Sequence, residues 1–246
     1  MGRNTRLQLT TNGANVVQLG TNSFQFSFAP AVPVGDNAEC AVESVTYNVS
    51  YYNISSSLGN NIIGYKTSGV GATKSVTIPN GNYNVSDISS YLQAQMTANG
   101  DTAANITLAV SLNTLGLVVT LLGGYQLDLT QGTLWNNLGY NGPLIVTVTG
   151  VSPNVVNISN ITNIQVHLPN LIAGSYVNNQ SSDVIYAFPP SGGPGQQSYS
   201  APFQPFFLPV TIRGQIQTLL MTFTDQYGNA INFNGQTVSV NLLVTS

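Results

Sequence analysis

His167 and Cys40 are the single histidine and single cysteine of the chain, and they set a low ceiling on the chemistry its side chains can perform. A zinc centre takes three or four His, Cys or carboxylate ligands, and one residue of each type is a poor start. His167 lies in Gln165-Val-His-Leu168, where strand alternation turns it to the face opposite Val166. The expectation is a strand residue with a satisfied ring. A Ser-His-Asp hydrolase would add a buried Asp and a G-x-S-x-G elbow, and the sequence has no such elbow. The eight carboxylates, Asp36, Glu39, Glu43, Asp87, Asp101, Asp128, Asp183 and Asp225, are scattered. A glycosidase needs two that face each other, and no pair stands out. Glu39 and Glu43 fall on one strand face, with Arg213 or a lysine as the expected partner. Gly192-Gly-Pro-Gly195 contains a proline and opens no helix, so it is not a phosphate loop. Calcium would want an Asp-x-Asp repeat, and none occurs. Cys40, beside Ala38 and Ala41-Val42, is expected to be a small buried hydrophobe. The chain is thus expected to be no enzyme, with no catalytic residues, no metal and no cofactor.

What remains is a surface. Only 5% of the 246 residues are charged, against about 25% in an ordinary soluble domain, while 42% are hydrophobic. The exterior must therefore be neutral and polar, built from Asn, Ser, Thr, Gln and Gly. Such a surface offers little repulsion between molecules and suits a protein that sits against copies of itself. The net charge of −3 argues against a broad nucleic-acid surface, which needs clustered Lys and Arg. Arg3 and Arg6 are candidates for an arm that docks on a neighbouring subunit. The longest apolar stretch, Leu115 to Leu122, is far short of the roughly 20 residues of a membrane helix. The opening Met-Gly-Arg-Asn-Thr-Arg runs into polar residues, so cytoplasmic synthesis without a secretory signal is expected. Triplets such as Asn48-Val-Ser50 and Asn157-Ile-Ser159 then follow from Asn-rich composition rather than glycosylation.

The elements that would carry this surface are strands. Apolar and polar residues alternate in Ser23-Phe-Gln-Phe-Ser-Phe28, from Cys40 to Tyr52, in Ser75–Ile78, and around the turn Asn113–Gly116. They alternate again from Leu144 to Val151, Ile161 to Leu168, Ile216 to Phe223 and Thr237 to Val244. Asp225-Gln-Tyr-Gly228 and Asn234-Gly235 supply turn residues. One helix is expected: Asn84 or Ser86 caps it, Val85, Ile88, Leu92 and Met96 share a face, and Asn99-Gly100 ends it. A helical turn is expected at Thr133–Leu138. Phe188 to Pro209 holds half of the 12 prolines and is expected to be a long loop. Its Tyr199, Phe203, Phe206 and Phe207 must bury against the body or a neighbour. Many short strands with frequent turns define a sandwich, barrel or jelly roll. The expected fold is all-β, a single jelly-roll β-sandwich with a small α+β insertion. The boundaries are an N-terminal arm over 1–14, the jelly roll over 15–60 and 151–246, and the insertion over 61–150.

Several segments, in order, resemble one family. They are Tyr51-Tyr-Asn-Ile54 with Asn61-Ile-Ile-Gly-Tyr65, Ile78-Pro-Asn-Gly-Asn-Tyr83 before a helix, and Leu138-Gly-Tyr140. Asp183-Val-Ile-Tyr-Ala-Phe188 and Pro205-Phe-Phe-Leu-Pro209 follow, and then Phe223-Thr-Asp-Gln-Tyr-Gly-Asn-Ala-Ile-Asn-Phe233. Together they resemble the penton, or minor capsid, proteins of Polinton elements, virophages and related double-jelly-roll DNA viruses. The low charge departs from that family. The resemblance implies a single jelly roll, assembling as a homopentamer at the five-fold vertices of an icosahedral virion. Its implied partners are its own copies and the double-jelly-roll major capsid protein, with a host surface receptor or vertex fibre beyond them. Strong nucleic-acid binding is not implied. Arg3, Arg6, Tyr199, Phe203, Phe206 and Phe207 are then the candidate inter-subunit contacts. The competing expectation is a receptor- or glycan-binding module of a spike or fibre, with Trp135 as a stacking platform. Leu134 and Leu138 beside it favour a core position instead.

Overall fold

The computed structural model describes residues 4–159, 161–177 and 180–245. The chain divides into two compact units, one formed by residues 1–51 and 161–246 and the other by residues 52–160.

In the first unit eight strands of four or more residues run in chain order among the described residues: β1 Thr5–Thr10, β2 Ser23–Val34, β3 Glu39–Asn48, β4 Ile164–His167, β5 Val184–Phe188, β6 Gln197–Ser200, β7 Gly214–Asp225 and β8 Ser239–Thr245. With two shorter strands they form two five-stranded sheets. The first is ordered β1-β8-β3-β6, with Leu208–Pro209 also pairing β3; the second is ordered β5-β4-β7-β2, with Val16–Gln18 at its edge. Every pairing is antiparallel, and the pairs nest: β1 with β8, β2 with β7, β3 with β6, β4 with β5. A long hairpin rolled over on itself gives this nesting, which is the jelly roll. Alternation places Leu7 and Leu9 of β1, Phe24 and Phe26 of β2, and Val240, Leu242 and Val244 of β8 inside. At the centre Phe223 meets Phe24 at 6.2 Å and Phe233 at 5.3 Å, both edge-to-face. Tyr47 lies 5.5 Å from Phe188.

Two expectations change here. Residues 5–10 are no arm: Leu7 and Leu9 alternate with exposed polar residues, and the segment pairs with β8 in register from Thr5↔Val244 to Thr10↔Ser239. Nor is 188–209 loop throughout. Gln197–Ser200, between Pro194 and Pro202, pairs with β3, and the bond from Val49 N to the Gln196 carbonyl extends that ladder.

Cys40 is fully buried in this core, and burial pushes its thiol up to about 12. A native chain at pH 8 should therefore resist a disulfide reagent such as DTNB, and a denatured one should release one thiol equivalent. The unfolded thiol loses its proton from its ordinary 9.0 upward while the folded one keeps it. This group's contribution to stability accordingly falls as pH rises from there toward about 12.

The second unit has its own core. A four-stranded sheet is ordered Ile145–Val146, Gln126–Asp128, Ile62–Lys66, Lys74–Thr77, and a three-stranded one Gly150–Val155, Gly116–Leu121, Ile106–Val110. Helix α1, Val85–Ala98, starts at a full capping box: the Asn84 side chain accepts from Asp87 N, and the Asp87 carboxylate accepts from Asn84 N. Its buried face is Val85, Ile88, Ser89, Leu92 and Met96. Leu108 N donates to Ser89 Oγ, and Gln93 Nε2 donates to the Ile106 carbonyl, which fixes the helix on the three-stranded sheet. The buried Tyr65 hydroxyl donates to Asp101 at 2.6 Å, and Lys74 Nζ reaches the same oxygen at 2.7 Å. The lysine and tyrosine hydrogen bonds hold the Asp101 carboxyl below its usual range. Trp135 is half-buried against this core.

The unit is longer at both ends than the expected 61–150. Ile54 bridges to Gly81 and is buried in the second core, and Asn60 Nδ2 donates to the Asn53 carbonyl. At the other end Gly150–Val155 pairs with Gly116–Leu121.

Candidate functional site

The outer face of the β1-β8-β3-β6 sheet is set by the residues that alternation leaves outside. Thr10, Ser239, Thr46 and Tyr199 lie in one row across the four strands. Gln8, Asn241 and Ser44 form the next. Thr10 Oγ1 and Ser239 Oγ are 3.2 Å apart, and Asn241 Nδ2 donates to Ser44 Oγ at 2.9 Å. The result is a neutral polar plane with its hydrogen bonds partly satisfied in-plane.

One ion pair crosses it. The β8–β3 ladder shifts register between Asn241 and Leu242, which leaves Glu43 without an opposing residue. Arg6 reaches over β8 and grips that carboxylate with both Nε and Nη2, the Nε bond measuring 2.6 Å. This hydrogen bonding raises the guanidinium and lowers the Glu43 carboxyl. Both groups are solvated, so the pair mainly orients Arg6 rather than stabilising the fold. The expected partner for Glu43 was Arg213 or a lysine. Arg213 instead donates to the Asp36 carbonyl, because it precedes β7 at the far end of the other sheet.

The other predicted residues lie at one lateral edge. Among the described residues β6 pairs only with β3, and β5 is the outer strand of the second sheet. Tyr186 Oη and Ser200 Oγ, 3.0 Å apart, close this edge. Tyr199 is 66% exposed on it, Phe206 73% and Phe203 fully exposed, while Phe207 is half-buried. The aromatic segment thus does not bury against its own unit, apart from Phe207. Arg6 lies on the same outer sheet face as Tyr199, near enough for the two to interact electrostatically, and Arg3 lies outside the described residues.

On the outer face of the second sheet, His167 is held at both nitrogens. Nδ1 lies 2.6 Å from Asp183 Oδ1 and Nε2 lies 2.8 Å from Thr224 Oγ1. The ring is satisfied, as expected of a strand histidine. Its partners are 16 and 57 residues away in sequence, which spacing alone does not reveal. Among the described residues no group of three or more His, Cys, Asp or Glu is placed to hold a metal, and no helix is long and apolar enough to cross a membrane.

The fold is a jelly roll whose third and fourth strands are joined by a self-contained α+β unit. The structure shares it with the mavirus penton protein, whose crystal structure aligns with a TM-score of 0.52 over 99% of this chain and 99% of that one, at 8% identity. A chain from the cryo-EM structure of the Sputnik virophage aligns with a TM-score of 0.44, covering 98% and 97%, at 12% identity. The chain matches no family model and no curated protein sequence.

Proposed function

We propose that the chain is a penton: a structural minor capsid protein, five copies of which close a five-fold vertex of an icosahedral virion. The observation that carries this reading is the end-to-end fold likeness to a penton protein, which includes the inserted unit and covers 99% of each chain. The surface supports it. With 5% charged residues, opposing copies meet few charges that must be desolvated. Exposed aromatics sit together at one lateral edge of the sandwich, where edge strands seek partners. Five copies in a ring make head-to-tail contacts that close, and a sandwich with two unlike edges suits them. The major capsid protein would surround the ring. The role is architectural, and neither a cofactor nor a metal takes part in it.

Native mass spectrometry of the purified chain, with class averages by electron microscopy, tests this. A mass of five copies and five-fold averages are expected. A stable trimer would overturn the reading in favour of a spike or fibre head.

A further inference from the structure

An asparagine followed by glycine is open to attack by its own backbone, because glycine sets no side chain beside its amide nitrogen. The chain has five such pairs: Asn12-Gly13, Asn80-Gly81, Asn99-Gly100, Asn141-Gly142 and Asn234-Gly235. The attack joins the glycine nitrogen to the carbonyl carbon of the asparagine side chain. It needs an unbonded nitrogen and a side chain that can turn toward it.

Four of the pairs are tied down. Gly13 N donates to the Thr10 carbonyl at 3.0 Å, Gly81 N to the Ile54 carbonyl at 2.9 Å and Gly100 N to the Thr97 carbonyl at 3.0 Å. Two of these asparagines are held as well: Asn80 Oδ1 accepts from Ser56 N, and Asn99 Nδ2 donates to the Tyr65 hydroxyl. Asn234 sits in a tight turn closed by Gln236 N on the Phe233 carbonyl, and its Nδ2 donates to the Ser50 carbonyl. Each of the four must open locally before it can react.

Asn141-Gly142 is built differently. Asn141 is exposed in a bend, and among the described residues Gly142 N donates no hydrogen bond. Nothing lies within 4 Å of the space beside the Gly142 Cα, so a ring can close there. Asn154 Nδ2 donates to Asn141 Oδ1 at 2.6 Å. That oxygen takes up negative charge when its carbon is attacked, and a donor already aimed at it stabilises the transition state. Asn154 is itself exposed, so its side chain can follow the carbonyl as it turns.

We infer that Asn141 is a site of spontaneous deamidation in the folded protein. Gly142 N loses its proton and bonds to Asn141 Cγ. The Cγ–Nδ2 bond breaks, and the nitrogen leaves as ammonia with the proton it needs, giving a cyclic imide. Water then opens the imide at either carbonyl, leaving aspartate or isoaspartate. Each event adds one negative charge to a chain whose net charge is −3, on an exposed bend of the inserted unit. The inference is independent of the penton reading.

The test incubates the full folded chain at pH 8 and at pH 6. Isoelectric focusing, chymotryptic peptide mapping by mass spectrometry and labelling by an isoaspartyl methyltransferase follow the product. A more acidic species should accumulate, faster at pH 8 because the attacking amide must lose its proton. The change should map to the peptide holding Asn141 before those holding Asn12, Asn80, Asn99 or Asn234. Asn141→Gln should abolish that species, and Asn154→Ala should slow it roughly fivefold, the worth of one hydrogen bond. In denaturant all five pairs should convert at similar rates, since the fold alone separates them. A folded chain in which another of the five converts first, or in which Asn141 converts no faster than the rest, overturns the inference.

Discussion

Replacing Gly139 with alanine should unfold the inserted unit. Gly139 ends the short helix Leu134–Asn137 with φ at +83°, a conformation that side-chain-bearing residues adopt only with strain. Its carbonyl accepts from Asn154 N at 3.0 Å, which draws the strand Gly150–Val155 against it. An added Cβ would fall on the Asn154 carbonyl oxygen and within 2.7 Å of Ser152 Oγ. That hydroxyl cannot give way cheaply, because it accepts from Leu117 N and donates to the Asn154 carbonyl, each at 2.8 Å. Strain and overpacking together are expected to cost about 2–6 kcal/mol, a large fraction of the stability of one small unit. Trp135, the only tryptophan, lies in this unit four residues away, so its fluorescence reports the transition. A variant whose Trp135 melting curve overlays that of the parent would refute the packing described.

Phe223→Ala should strike the other unit just as hard. Phe223 is fully buried between Phe24 and Phe233, and its removal leaves a cavity that three strands and a loop cannot close. Losses of about 3–5 kcal/mol are usual for such a truncation, enough to lower melting by roughly 10 °C. Here Cys40 is the native reporter: its thiol should become reactive at a lower temperature or denaturant concentration than in the parent, while the Trp135 signal moves less. If both probes shift by the same amount in both variants, the two units unfold as one.

The sequence revealed more of the strands than of the surface they make. Alternation in Ser23–Phe28 and Ile216–Phe223 predicts β2 and β7, and the Asn84 cap with Ile88, Leu92 and Met96 predicts α1, because these signals are local. β1 is hidden by composition: Arg6, Gln8 and Thr10 on its outer face make it look like a solvated tail, and only two leucines betray the inner one. β6 is hidden by its prolines, which bound a strand of four residues without one β-branched side chain. The partners of Glu43 and His167 depend on register, and a bulge decides the first of them. For Phe203 the sequence left a choice between body and neighbour, and only the fold decides that its ring is not buried against the body.

Closure of the roll has a temporal side. Among the described strands β1 pairs only with β8, and β8 lies between β1 and β3. A ribosome delivers these strands in chain order, so β1 waits through nearly the whole of translation for the backbone that will hold it. Until β8 emerges, Leu7 and Leu9 have no neighbouring strand to hold them in the core. The nesting of first strand with last therefore acts as a check on nascent chains: only a polypeptide finished through β8 can complete the first sheet.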